Sequence, residues 1–258
     1  MTALLQRAAA LLTLPVLLIS LWWVVTDAST NFFWPPLREI VGVFPETWLE
    51  GRITTDVVPS LLRLLGGYAV AVVVGVGLGI LAGSSSGFRS ITEPPLEFLR
   101  AIPPPVLVPV LVLIAGTTDL TKVLVIAVGC VWPILLNTIE GVRSIDPVYS
   151  DTAAAYRLRL VTRLRTVVLR GASPQIAAGC RQALSIGLIL MVISEMFAAT
   201  NGLGFTTIQF QRAFAMPQMW SGILLLGVIG VILSLVFRLV ESRALAWYHG
   251  LRAAERKG

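Results

Sequence analysis

Residues 57–82 read VVPSLLRLLGGYAVAVVVGVGLGILA, an apolar run long enough to decide the class of fold. An α-helix rises about 1.5 Å per residue, so about 20 such residues cross the hydrocarbon core of a bilayer. Gly67, Ala71, Gly75, Gly79 and Gly83 recur every four residues along or just beyond the run. They form a strip of small side chains on one helical face, which lets a second backbone approach closely. That strip is a helix-packing feature rather than a site. Composition points the same way: of 258 residues 56% are hydrophobic and 13% charged, and the mean hydropathy of +0.83 lies outside the usual range of a soluble domain.

Outward from this run the sequence predicts an all-α, polytopic membrane protein forming a single domain over 1–258. Its six spans fall at about 8–26, 57–82, 96–116, 121–141, 178–200 and 220–240. The first run has no small-residue cleavage site and continues through Trp22 and Trp23, which predicts a retained helix rather than a signal peptide. The third carries Pro103, Pro104, Pro105 and Pro109, each lacking an N–H for the helix ladder, and should be bent or broken.

Loops rich in Lys and Arg stay cytoplasmic. One side of the predicted topology collects Arg7, Arg89, Arg100, Arg143, Arg157, Arg159, Arg163, Arg165, Arg170, Arg181, Arg238, Arg243, Arg252, Arg256 and Lys257. The other has Arg38, Arg52, Arg63, Lys122 and Arg212, nearly balanced by Asp27, Glu39, Glu46, Glu50, Asp56 and Asp119. Both termini are therefore expected in the cytoplasm. The sequence pI of about 10 reports this topology and not the charge of a cargo. Lacking interleaved aromatics, the arginines do not make a nucleic-acid site either.

Two stretches between spans carry helical patterns. After Pro35 and Pro36, residues Leu37, Ile40, Val41, Phe44 and Trp48 share a face that suits a helix along the membrane surface, with Pro45 expected to interrupt it. On the arginine-rich side, residues 142–177 are too polar to span, yet place Leu158, Val161, Leu164, Val168 and Leu169 at helical spacing. A connection of this length with its own apolar stripe predicts a pair of partner-docking helices rather than a solvated linker.

No Gly-x-x-x-x-Gly-Lys-Ser/Thr pattern is present, since the only lysines are Lys122 and Lys257 and neither follows a glycine. Phosphate chemistry is thus expected from a partner. His249 sits in the basic tail without an acidic or metal-ligand companion, and Cys130 and Cys180 fall in apolar surroundings as packing residues, so neither a metal nor a catalytic residue is expected. Glu195 is the prime intramembrane ionisable group, read as structural or gating in preference to contacting a ligand. With Ser194, Met191 and Asn137 it makes up the candidates for a pathway or gate, with helix packing the preferred reading of Asn137.

These patterns resemble the permeases of type I ABC importers, and within them the nitrate, sulfonate and taurine branch. The family signature of Glu-Ala-Ala, three residues, Gly, nine residues, Ile, one residue and Leu-Pro is matched in spacing by Asp151, Thr152, Ala153, then Arg157, then Val167, Leu169 and Arg170. Pro174 matches a further proline. Other resemblances are Pro103 to Pro105, the run Trp132-Pro133-Ile134-Leu135-Leu136-Asn137, and Gly141 to Pro147. Ser194-Glu195-Met196 and Gly202-Leu203-Gly204 complete the set.

The resemblance implies a type I ABC importer transmembrane fold and a pathway built with a second copy or a paralogous permease. It also implies an extracytoplasmic binding protein and two cytoplasmic ATPase subunits that hold the ATP and Mg. In it, Asp151, Thr152, Ala153, Ala154, Arg157, Leu158, Val161, Leu164 and Arg165 would form the ATPase-coupling loop. The family glycine suits a left-handed helix terminus, where a residue with a Cβ costs about 1 kcal/mol, so Arg157 predicts an altered turn. A solute such as a sulfonate, taurine or nitrate is implied. An ion- or proton-coupled secondary transporter and a membrane enzyme or assembly factor are the alternatives from other classes, disfavoured by the absence of internal repeats, a mid-membrane relay or a catalytic cluster.

Overall fold

The small-residue strip explains the central contact of the molecule. Its computed structural model describes residues 2–248 and 250, with the side chains of residues 2–12, Pro15, Ser86, Glu93 and Ala198 left out. Arg7 as a charge, His249, Arg252, Arg256 and Lys257 lie outside the described residues. Helix α1 spans Thr2–Asp27, α2 Leu37–Phe44, α3 Val58–Ser84, α4 Ser86–Ala101, α5 Leu107–Ala115 and α6 Asp119–Arg143. Then come α7 at Pro147–Ala155, α8 at Leu160–Arg163, α9 at Leu169–Ala198, α10 at Leu203–Arg212 and α11 at Met216–Ala244.

The strip on α3 lies directly against α6. A Cβ on Gly67 would come within 2.7 Å of the Ile126 side chain and the Val123 carbonyl, and one on Gly79 within 2.5 Å of Thr138 Cβ. Gly75 and Gly83 meet Ile134 and Val142 in the same way, and Ala71 is buried in the core. On its other side α6 receives α9, where a Cβ on Gly179 would lie 2.7 Å from the Pro133 carbonyl. The three helices α3, α6 and α9 thus form a close-packed core around Leu64, Ile126, Cys130, Ile134 and Met191.

Four helical stretches are long and apolar enough to cross a membrane: Ile53–Ser84, Asp119–Arg143, Leu160–Phe197 and Met216–Ala244. They correspond to the second, fourth, fifth and sixth spans expected from sequence. The expected third span is a broken pair, Pro94–Ala101 and Pro104–Ala115, bent by 75° where the proline run removes ladder donors. The outer part of α1, Val16–Asp27, is a shorter apolar helix.

Two expectations are corrected. Of the face Leu37, Ile40, Val41, Phe44 and Trp48, Leu37, Ile40 and Trp48 are buried against protein rather than presented to lipid, Phe44 is half-buried and Val41 is exposed: α2 packs on α11, and Trp48 Nε1 donates to Ser221 Oγ at 2.9 Å. Pro45 is accommodated in a wide turn over Pro45–Leu49 that carries the chain round to bury Trp48. The second half of the 142–177 segment is also not a separate docking helix. Helix runs without a break from Leu160 through Phe197, so the fifth span begins far outside the apolar core.

Candidate functional site

At the arginine-rich end, α6 leads through Ser144 into α7, which Asp146 caps by accepting the Val148 N–H at 2.9 Å. Helix α7 ends at Arg157, whose φ of 52° lies in the left-handed region. The Arg157 N–H donates to the Ala154 carbonyl at 2.9 Å and the Leu158 N–H to the Ala153 carbonyl at 3.0 Å. These are the two bonds of a Schellman terminus, so the turn keeps the geometry a glycine would take, with no alteration by the arginine.

The elbow between α7 and α8 projects apolar side chains into the surroundings: Tyr156 is 78% exposed, Val161 74% and Leu160 72%, with Tyr149, Val148 and Leu158 also exposed. Asp151, Thr152, Ala154, Arg157 and Arg165 stand exposed beside them. Ala153 is buried, and Leu164 is half-buried against Val142, Val168 and Ala172. The sequence-level stripe therefore divides in two: Leu158 and Val161 face outward, whereas Leu164 and Val168 anchor the elbow to α6 and α9.

Of the pathway candidates, Met191 is fully buried in the main core, Ser194 Oγ donates to the Met191 carbonyl, and Asn137 Nδ2 donates to the Pro133 carbonyl one turn back in its own helix. Glu195 sits at the opposite end of the bundle from the elbow, one turn before α9 ends, and has no exposed surface. Its Oε1 accepts from Arg63 Nη1 at 2.7 Å, and its Oε2 from the Gly204 N–H at 3.0 Å. The Ser60 hydroxyl lies 2.7 and 2.8 Å from the two oxygens and accepts the Leu203 N–H at 2.8 Å.

Asp56 Oδ1 accepts the Gly202 N–H at 2.8 Å, so three successive amides at the start of α10 point at two carboxylates and a hydroxyl. Those amides have no partner within their own helix, and the helix dipole favours negative charge there. Gly202 has φ 120°, and a Cβ on it would lie 2.5 Å from Glu195 Cδ, so only glycine fits.

Arg63 completes the cluster. Its Nε donates to Asp119 Oδ1 at 2.9 Å and its Nη2 to Asn201 Oδ1 at 2.6 Å, while Lys122 also reaches Asp119 at 3.3 Å. One guanidinium, 4% exposed, thereby ties the starts of α3 and α6 to the end of α9 and the loop into α10. Every arm of it is engaged by protein acceptors, and the cluster works as a clasp rather than an open anion site.

Sequence reasoning placed Arg63 among outer-side charges and left Glu195 without a partner. The missed signal was Arg63 itself, a permanent charge six residues inside an apolar run, which needs an opposite charge to stay there. Among the described residues no group of His, Cys, Asp and Glu is arranged to hold a metal ion.

Similarity to known proteins follows the same outline. Residues 75–245 match the family described as "Binding-protein-dependent transport system inner membrane component". The chain is 28% identical over 239 residues to a protein named as an aliphatic sulfonates transport permease, SsuC, of Bacillus subtilis, covering 92% of this chain and 86% of that one. It is 29% identical over 243 residues to the taurine transport system permease protein TauC of Escherichia coli, covering 92% and 88%.

The bicarbonate transport system permease protein CmpB of Synechococcus elongatus is 29% identical over 186 residues, covering 72% and 67%. A crystal structure described as an amino acid ABC transporter with histidines superposes with a TM-score of 0.56 at 15% identity, covering 83% of this chain and 97% of that one, and shares the fold. With a family match spanning both the core helices and the elbow, this chain belongs to the inner membrane components of binding-protein-dependent transport systems: it is a multi-pass permease subunit of an ABC importer.

Proposed function

We propose that this permease forms half of a pathway for a small anion, with a second copy or a paralogous permease supplying the other half. Two ATPase subunits grip the α7–α8 elbows, and an external binding protein delivers the solute at the opposite end. ATP and Mg belong to the ATPase subunits, and this chain contributes the mechanical handle. The sulfonate and taurine relatives support an oxyanion solute, with bicarbonate as a third small anion in the same set.

The observation that carries the reading is the elbow. A nine-residue helix and a rigid Schellman turn hold Tyr156, Leu160 and Val161 out in the open, among arginines, at the end of the bundle where positive charge favours the cytoplasm. Exposed apolar side chains on a preorganised knuckle fit a groove on a partner. When ATP draws two such grooves together, the force enters at α7–α8 and passes directly into the 38-residue helical stretch Leu160–Phe197, whose far end holds Glu195. Asp151, exposed on α7, supplies an acidic contact.

The test is a Val161→Glu, Leu160→Ser double variant, co-expressed with its ATPase and reconstituted in vesicles with ligand-loaded binding protein. Loss of ligand-stimulated ATP hydrolysis and uptake is expected, with the permease still folded. Uptake at the wild-type rate would refute the elbow's role. Uptake by this chain alone, without an ATPase, would point instead to a secondary transporter. Leu164 is a poorer target because its packing on Val142 and Ala172 confounds docking with folding.

A further inference from the structure

Helices α9 and α11 run antiparallel, and a groove opens between them. Its wider part has a volume of about 570 Å³, and a second cavity of about 330 Å³ shares the residues Leu188, Ile189, Gly227 and Gly230 with it. The two are one continuous channel along the helix pair.

Its chemistry changes one turn at a time. At the arginine-rich end stand Arg181 of α9 and Arg238 of α11, and one turn further in come Ser185 and Ser234. Beyond these the lining is wholly apolar, with Val192, Ile193 and Leu226. Arg181 pairs with Glu241, whereas Arg238 is exposed and makes no ion pair among the described residues. Neither serine hydroxyl has a side-chain hydrogen bond there. Arg181 precedes the end of α9 at Ala198 by 17 residues, or roughly 25 Å of helix, which places the arginines at headgroup depth if the clasp end marks the other surface.

Two glycines keep the groove open. A Cβ at Gly227 would meet nothing within 4 Å, and at Gly230 only Leu188 Cδ2 at 3.7 Å. These glycines are not required by helix contact, unlike Gly67, Gly75, Gly79 and Gly83 of α3, and they leave open space along the apolar part of the groove. From these features we infer that the groove between α9 and α11 binds an anionic phospholipid. Its phosphate sits against Arg238, the cation that Glu241 leaves free by pairing with Arg181, its ester and glycerol oxygens meet Ser185 and Ser234, and one acyl chain lies over Gly227 and Gly230. A charged headgroup, then polar linkage atoms, then hydrocarbon is the sequence of chemistries that the groove presents in register. A soluble anion would leave the apolar part of the groove empty, and a zwitterionic lipid would bring its ammonium up beside the same arginines and cancel the charge of its phosphate.

The test uses the full-length chain purified in mild detergent and native mass spectrometry with added phosphatidylglycerol or phosphatidylethanolamine. Wild type should retain phosphatidylglycerol preferentially. Each arginine near a bilayer surface favours anionic lipid by about fivefold, so Arg238→Gln should lower that preference by about this factor without affecting folding. Gly227→Leu starts from a Cβ that meets nothing within 4 Å, so its side chain extends into the groove and should reduce retention of both lipids, with an unchanged thermal melt.

Three results would overturn the inference. The first is a phosphatidylglycerol preference unchanged in Arg238→Gln. The second is displacement of the lipid by millimolar sulfate or taurine, which would make the groove a solute site. The third is a wild-type chain that purifies as a dimer and becomes monomeric in Gly227→Leu with lipid retention intact, which would make the groove a seat for a second copy of this chain.

Discussion

Replacing Arg63 by methionine and Glu195 by glutamine, singly and together, measures what the clasp contributes. Arg63→Met removes the cation that faces Glu195 and leaves a carboxylate with no exposed surface, held only by Ser60 and the Gly204 N–H. Breaking a buried pair from one side costs about 3–5 kcal/mol; Lys122, the remaining cation of the clasp, is engaged by Asp119 and attracts Glu195 without bonding it, so a loss within that range is expected. Glu195→Gln is milder. Arg63 keeps Asp119 at 2.8 Å and the amide oxygen can still accept the Gly204 N–H, so the loss is that of an imperfectly paired buried group, about 1–3 kcal/mol.

In the double variant neither side leaves a buried unpaired charge, and the cost should fall below the sum of the singles by about 0.5–3 kcal/mol, the range for residues in one network. The assay is equilibrium unfolding of the purified chain in mixed micelles titrated with SDS, followed by the fluorescence of its seven tryptophans. Strict additivity would refute the reasoning, as would a ranking in which Glu195→Gln costs as much as Arg63→Met.

Other outcomes follow from the same geometry. Gly79→Ala should cost about 1–3 kcal/mol by overpacking against Thr138, while Gly77→Ala, with nothing within 4 Å, should be neutral or stabilise by up to about 1 kcal/mol through helix propensity; melting temperatures of the pair check this. Arg157→Gly relieves a left-handed residue and should raise stability by up to about 1 kcal/mol while leaving ATPase binding intact, so a fall in melting temperature would contradict the Schellman assignment. Gly202→Ala forces a Cβ to 2.5 Å from Glu195 Cδ at φ 120°, and should destabilise at least as much as Glu195→Gln in the same SDS titration.

Some of this was open to reading from the chain. The four-residue spacing from Gly67 to Gly83 announced a close helix contact, and the α3–α6 interface is built on it. The proline run announced the break that appears as a 75° bend. The 142–177 segment was recognisable as more than a linker, but its stripe could not be divided into outward Val161 and inward Leu164, because spacing records a shared face and not what that face meets. For the same reason Trp48 and Ile40 read as a membrane-lying face although they are covered by protein.

Length and apolar content determined by themselves that the chain lives in a bilayer, because a backbone in hydrocarbon must satisfy its hydrogen bonds internally and a run of this length does so only as a helix. They also ordered its helices along the chain. Only the tertiary structure decided that Arg63 and Glu195, 132 residues apart, share one buried clasp. The glycine that Arg157 replaces in the family signature turned out to be dispensable for its turn, a matter of local φ and two amide bonds that residue type alone left open. Helical periodicity is a property of one segment, whereas the cost of burying a charge depends on what the neighbouring segments bring to it, and that is known only once they are packed.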